Sequence, residues 1–124
     1  MGRHRTFEEA TVVRHAAAAF LVSGYEGTSV EDLVSATGLN RGSLYQTFGS
    51  KRGLLVACLR DALTERPGEV STTDLVLVSL LELAPRDREV RTLLSEHLGP
   101  RDNTAHDLGA RLLQRAQIPH GGPA

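Results

Sequence analysis

Apolar positions recur along this chain at intervals of three and four, the spacing that gathers them on one face of an α-helix. Thr6 and Glu9 form a capping-box pair, and Val12, Val13, Ala16, Ala19, Phe20 and Ser23 then share a face. A first helix is predicted there, stopped by Gly24. Thr28-Ser29-Val30-Glu31 reads as a second capping box, opening a two-turn helix with Val30, Leu33 and Val34 inward and Gly38 as its left-handed end. Asn40 caps a third helix that carries Leu44, Tyr45 and Phe48. Gly49 and Ser50 close it and cap a fourth, with Leu54, Leu55, Cys58, Leu59 and Ala62 at helical spacing. Arg66-Pro67-Gly68-Glu69 is a turn. Beyond it Ser71 to Asp74 caps the apolar stretch Leu75 to Ala84, which predicts a helix buried on nearly all sides and stopped by Pro85. Asp87 caps a sixth helix with Val90, Leu93, Leu94 and Leu98, ending at Gly99-Pro100. Asn103 or Thr104 opens a seventh with Ala105, Leu108, Leu112, Leu113 and Ala116. Pro119 to Ala124 is a loose tail, and no segment repeats another.

The expected fold class is all-α. Residues 1–49 form a helix-turn-helix unit, 50–66 a connecting helix, 67–118 a small helical lobe and 119–124 a tail. A chain of 124 residues has room for one domain, or for two small lobes sharing a core. Charged residues at 23% and apolar ones at 40% exclude a collagen-like or wholly disordered chain. No apolar run is long enough for a bilayer span, and Glu8 and Glu9 stand where a signal peptide would be apolar. Cys58, the single cysteine, permits no internal disulfide and fits a reducing cytoplasm.

Charge and aromatic content divide the chain. Residues 1–60 hold seven Lys/Arg against five acids, a net of +2, whereas the rest hold seven against ten, a net of −3. All five aromatics, Phe7, Phe20, Tyr25, Tyr45 and Phe48, fall in the first 48 residues. A mildly basic front with rigid anchors suits a module that shows one face to a polyanion.

Two short helices joined by a glycine turn, the second capped by a small polar residue, form the helix-turn-helix pattern. Leu33, Val34, Leu39 and Leu44 supply a small core that sets the angle between them, and Gly42 lets the backbone approach a groove. The outward residues of the second helix mix donors and acceptors, as base and phosphate contacts require. Arg41 suits guanine and Gln46 suits adenine, while Thr28, Ser29, Tyr45, Thr47 and Lys51 suit phosphate. Helix N-termini near Ser29 and Ser50 add backbone donors, and an arm with Arg3 and Arg5 adds charge.

Phe20, Gly24-Tyr25, Thr28-Ser29-Val30, Gly38-Leu39, Gly42-Ser43-Leu44-Tyr45, Phe48 and Ser50-Lys51 together resemble the DNA-binding domain of TetR/AcrR-family transcriptional regulators, over about residues 6–63. The resemblance implies three DNA-binding helices and a connecting fourth. It also implies a homodimer on a palindromic operator, usually a repressor released by a small ligand. By that likeness Arg41, Gly42 and Ser43 face bases, and Ser29, Tyr45, Thr47 and Lys51 hold phosphates. Gln46, Thr47 and Gly53 depart from the family's usual residues, and Gly53 removes a capping partner for Ser50. The stretch from Leu75 to Val90 resembles a mid-domain segment of actinobacterial members, reached here by a shortened connection.

The remaining residues give weaker chemistry. His4, His15, His97, His106 and His120 lack paired metal-ligand spacing, so no metal or cofactor is expected. Cys58 reads as core. No catalytic triad or phosphate loop is present, so no enzymatic activity is expected. Leu75, Val78, Leu93, Leu94, Leu108 and Leu112 read as a ligand or dimer face, with plain core favoured over ligand wall for the helix from Leu75. Double-stranded DNA and a second copy are the expected partners, with a small effector open. A competing reading is a truncated protein-interaction module that heterodimerises with a full-length regulator and does not read DNA.

Overall fold

The computed structural model describes residues 2–99 and 101–120, with side chains from Glu8 onward. Among the described residues seven α-helices follow one another: α1 (Gly2–Ser23), α2 (Val30–Thr37), α3 (Arg41–Phe48), α4 (Lys51–Glu65), α5 (Val70–Glu82), α6 (Arg88–Leu98) and α7 (Thr104–Arg115), with a 3₁₀ turn at Ala84–Arg86. No strand occurs among the described residues, and no described helix is long and apolar enough to cross a membrane.

The middle boundaries follow local capping chemistry. Asn40 Oδ1 accepts the Ser43 N–H at 2.7 Å, and Ser50 Oγ accepts the Gly53 N–H at 2.9 Å. Asp87 likewise caps α6 through the Val90 N–H at 3.1 Å. Gly38 closes α2 at φ +79°, its N–H donating to the Val34 carbonyl at 2.9 Å. That backbone conformation is the one in which an L side chain is strained.

Three boundaries differ from expectation. Helix α1 begins at Gly2, before Thr6, and the Thr6 side chain lies outside the described residues, as do those of Arg3 and Arg5. The capping box of α2 is formed by Ser29 with Asp32, one residue beyond the expected pair Thr28 and Glu31. Helix α5 starts at Val70 without a side-chain cap. Thr72 and Asp74, expected to cap it, are buried in other bonds: Thr72 Oγ1 donates to the Arg66 carbonyl at 2.6 Å, and Asp74 pairs with α7.

One apolar core joins the front and back of the chain, from Val13 on α1 to Leu94 on α6. Helix α4 runs through its centre and packs against α1, α3, α5 and α6. Its Leu55, Cys58 and Leu59 are wholly buried, and Phe20 of α1 fills the space beside them. The Cys58 thiol donates to the Val13 carbonyl at 3.3 Å, and burial pushes it well above the ordinary thiol range. A thiol so protected stays protonated and unreactive, in keeping with a core role.

Helix α5 is not buried all round. Leu75, Val76 and Ser79 face the core, but Leu81 is 77% exposed. The apolar run is longer than its neighbours can cover. Of the six residues read as a ligand or dimer face, Leu75, Leu93 and Leu94 are core instead, whereas Val78 and Leu108 are half-buried and Leu112 is exposed. The back lobe consumes its own leucines because α4, α5 and α6 close on one another.

An ionic cluster fastens α4 to α6. The Arg52 guanidinium bonds Asp87 and Glu89, with Nη2 at 2.9 Å from Asp87 Oδ1 and 2.8 Å from Glu89 Oε1. Arg60 reaches the other oxygen of Glu89 at 2.9 Å. The Arg52 hydrogen bond holds the Asp87 carboxyl down at about 2 and also lowers Glu89. A carboxyl depressed on folding adds stability above its unfolded value, and that stability is lost as pH falls through about 2. Urea midpoints are expected to drop between pH 4 and pH 2. Arg52→Ala will flatten that drop and cost about 1–2 kcal/mol at pH 7, a value reduced for the half-exposed guanidinium.

Candidate nucleic-acid interface

Helices α2 and α3 cross over a small core in which Leu33 and Leu44 are buried and Val34 and Leu39 half-buried. Thr37 secures the turn: its hydroxyl donates to the Leu33 carbonyl at 2.7 Å and accepts the Leu39 N–H at 3.2 Å. This packing turns the rest of α3 outward. Arg41, Gly42, Tyr45, Gln46 and Thr47 are exposed, and Ser43 is half-buried.

Gly42 is informative. A Cβ there would meet only the Asn40 side-chain oxygen, at 3.4 Å, and the residue stands inside a short helix. Glycine costs about 1 kcal/mol against alanine in such a position. Among the described residues no other atom within 4 Å opposes a Cβ there.

The phosphate candidates divide. Ser29 is exposed at the N-terminus of α2, with its Oγ accepting the Asp32 N–H at 3.0 Å and its N–H donating to Asp32 Oδ2 at 2.9 Å. That N–H, with the Ser29 hydroxyl, holds the Asp32 carboxyl below the usual range. The first helical amides after Ser29, on Val30 and Glu31, have no intrahelical acceptor and point outward. Thr28, by contrast, is buried at 1% exposure, and its hydroxyl donates to the Gly24 carbonyl at 2.6 Å. It cannot reach a phosphate, because the turn after α1 closes over it.

Lys51 is also not a free point charge. Its Nζ donates to the carbonyls of Tyr25 at 2.9 Å and Thr28 at 3.0 Å, and sits 4.4 Å from the Tyr25 ring centroid. Tyr25 stacks in turn on Phe20, with ring centroids 5.9 Å apart. The lysine therefore braces the α1–α2 turn as well as adding charge to that face. Burial and the nearby Glu26 raise the Tyr25 phenol above its ordinary value, so the ring stays neutral beneath the ammonium.

Two features escape sequence periodicity. Arg41 pairs with Glu31 across the angle between α3 and α2, both exposed. Between α1 and α3 a cleft of about 480 Å³ is lined by Glu8, Glu9, Ser43, Gln46 and Thr47 among others. Its acids put negative charge beside Gln46 and Thr47 of α3. Neither feature leaves a spacing signal, since each depends on how two helices meet.

Residues 12–58 match the family described as bacterial regulatory proteins, tetR family. Among curated proteins, the chain is 44% identical over 63 residues to the uncharacterized HTH-type transcriptional regulator YezE of Bacillus subtilis, covering 51% of this chain and 32% of that one. It is 41% identical over 58 residues to the HTH-type transcriptional repressor ComR of Escherichia coli, covering 47% and 28%. A third relative, the HTH-type transcriptional repressor AcnR of Corynebacterium glutamicum, is 39% identical over 59 residues, covering 48% and 31%. The matched segment is thus about half of this chain and less than a third of each relative. No solved structure matches the chain significantly.

Proposed function

Starting from a TetR-family helix-turn-helix domain at the N-terminus, we propose that the chain is a sequence-specific DNA-binding transcriptional regulator acting in the cytoplasm. Helix α3 enters the major groove and α2 presents its N-terminus to the backbone. The observation that carries this reading is the outward face of α3, where Arg41, Gln46 and Thr47 surround a glycine that the protein's own packing does not need. Arg41 and Gln46 suit guanine and adenine edges, and Gly42 and Ser43 let the helix seat closely. Ser29, Tyr45 and Thr47 suit phosphates, with Lys51 contributing through the turn it braces. The labour divides among residues 1–49 for DNA, 50–66 as connector and 67–118 for regulation and pairing.

We take the active species as a homodimer repressing from a palindromic operator, with reading helices about 34–36 Å apart or a multiple of it. Support for pairing comes from Leu81, Leu112, Leu113 and Ile118, which leave apolar surface on the back half. An open groove of about 650 Å³ beside Leu80, Leu94, Leu98 and Leu108 gives a small effector room.

Selection from random duplex DNA, followed by two variants, tests the proposal. Arg41→Ala is expected to relax preference at one base position at a cost of about 1–3 kcal/mol. Lys51→Ala is expected to weaken every duplex and lower the slope of log affinity against log salt by about one. Equal, sequence-independent losses from both variants would remove Arg41 from base reading. Failure of the parent to enrich any duplex would refute the regulator reading.

A further inference from the structure

We propose that Glu82, on the last turn of α5, is a positioning residue for DNA binding: its carboxylate holds the α1–α2 turn that delivers Ser29 and the N-terminus of α2 to the phosphate backbone. The proposal rests on the reading of α2 and α3 as the DNA-facing pair.

The geometry is specific to a carboxylate. Oε2 accepts the Tyr25 N–H at 3.2 Å and Oε1 accepts the Glu26 N–H at 2.8 Å, across 57 and 56 positions of sequence. Both oxygens thus bind consecutive amides of one turn. Gly24 precedes them at φ +80°, and a Cβ there would lie 2.6 Å from Oε2. The glycine both permits the left-handed bend and leaves space for the acid. An acid at a helix C-terminus opposes the helix dipole. Its favourable partners must therefore lie elsewhere, and the two amides are those partners.

The same turn is gripped from its other side. Lys51 takes the carbonyls of Tyr25 and Thr28, and Thr28 Oγ1 takes that of Gly24. Amides are held by the back of the molecule and carbonyls by the connecting helix, and the next residue is Ser29, the N-cap of α2. Charge-assisted hydrogen bonds are the stronger kind. Release of Glu82 leaves the turn held through its carbonyls but not through its amides, so the α2 N-terminus samples positions from which its own amides miss a phosphate.

The test uses the full chain with Glu82→Gln and Glu82→Asp. Glutamine keeps one acceptor and sets an N–H₂ against an amide donor, while aspartate keeps the charge with a shorter reach. Expected for glutamine is faster hydrogen exchange at the Tyr25 and Glu26 amides and about tenfold weaker binding to the selected duplex, the order of a lost charged hydrogen bond. The salt slope is expected to fall by about one phosphate, with helix content unchanged. Aspartate is expected to fall between glutamine and the parent. Duplex bound to the parent is expected to slow exchange at the same two amides, as reciprocity of coupling requires. Faster exchange with affinity and salt slope unchanged overturns the proposal while the regulator reading stands. A parent that binds no duplex overturns that reading, and is seen before any variant is made.

Discussion

Phe20→Ala is expected to lower the unfolding free energy by about 3–5 kcal/mol, the usual cost of removing a fully buried aromatic side chain. Phe20 is 0% exposed, belongs to the core that α1 shares with α4 and stacks on Tyr25. Removing it leaves a void in the core cluster that α1 and α4 share, and the surrounding side chains relax into such a void only in part. Small domains hold only about 5–15 kcal/mol in all, so the loss takes a large share. Urea unfolding followed by circular dichroism measures it as a lower midpoint with an unchanged slope. Phe20→Leu should recover most of the loss, since the cavity rather than the ring sets the cost. A change below about 1 kcal/mol for alanine would place Phe20 outside the cooperative core.

The second large effect concerns α7, none of whose residues is fully buried. Its Leu108 packs against the apolar core, and the rest of the attachment is ionic. Arg111 grips Asp74 with two parallel bonds, Nε to Oδ1 at 2.7 Å and Nη2 to Oδ2 at 2.9 Å, and Arg115 adds a contact at 3.3 Å. Asp74 is 7% exposed, so its charge has left water and depends on these partners. Asp74→Ala is expected to free α7 at a cost of about 1–3 kcal/mol, below that of a fully buried pair because Arg111 can swing into solvent. Limited proteolysis between residues 104 and 115 and amide exchange along α7 would report the release. Protection of α7 equal to the parent's would assign its docking to Leu108 instead.

Much of the helical order was legible because capping and periodicity act within a few residues. Asn40, Ser50, Asp87 and Gly38 each bond a neighbour three or four positions away, and each boundary they mark stands as expected. The core of α2 and α3 was legible for the same reason. Thr28 was misread because Ser29 beside it competes for the same capping amide, and only the path of the α1–α2 turn decides which hydroxyl faces solvent. Leu75 is core, as favoured for its helix, whereas Leu93 and Leu94 went inside rather than to a dimer face, because an apolar stripe says that a face will be covered and not by what. Glu82, Asp74 and the Arg52 cluster left no trace, since each unites positions at least 29 apart in sequence.

The candidate interface divides along the same line. Residue types on α3 announce what that surface can bond, because Leu44 is the one buried residue of the helix and Arg41, Tyr45, Gln46 and Thr47 all stay exposed. The restraints on them come from elsewhere. Arg41, on α3, pairs with Glu31, on α2, so its guanidinium is held by a contact that depends on how the two helices meet.

The two tyrosines occupy opposite surroundings, and the chain has no tryptophan. Tyr25 is half-buried between Phe20 and an ammonium, whereas Tyr45 stands 42% exposed on α3. With no indole to outshine them, the two phenols dominate ultraviolet emission: the packed ring is the source of dichroism that melting erases, and the exposed one is the ring a soluble quencher reaches first.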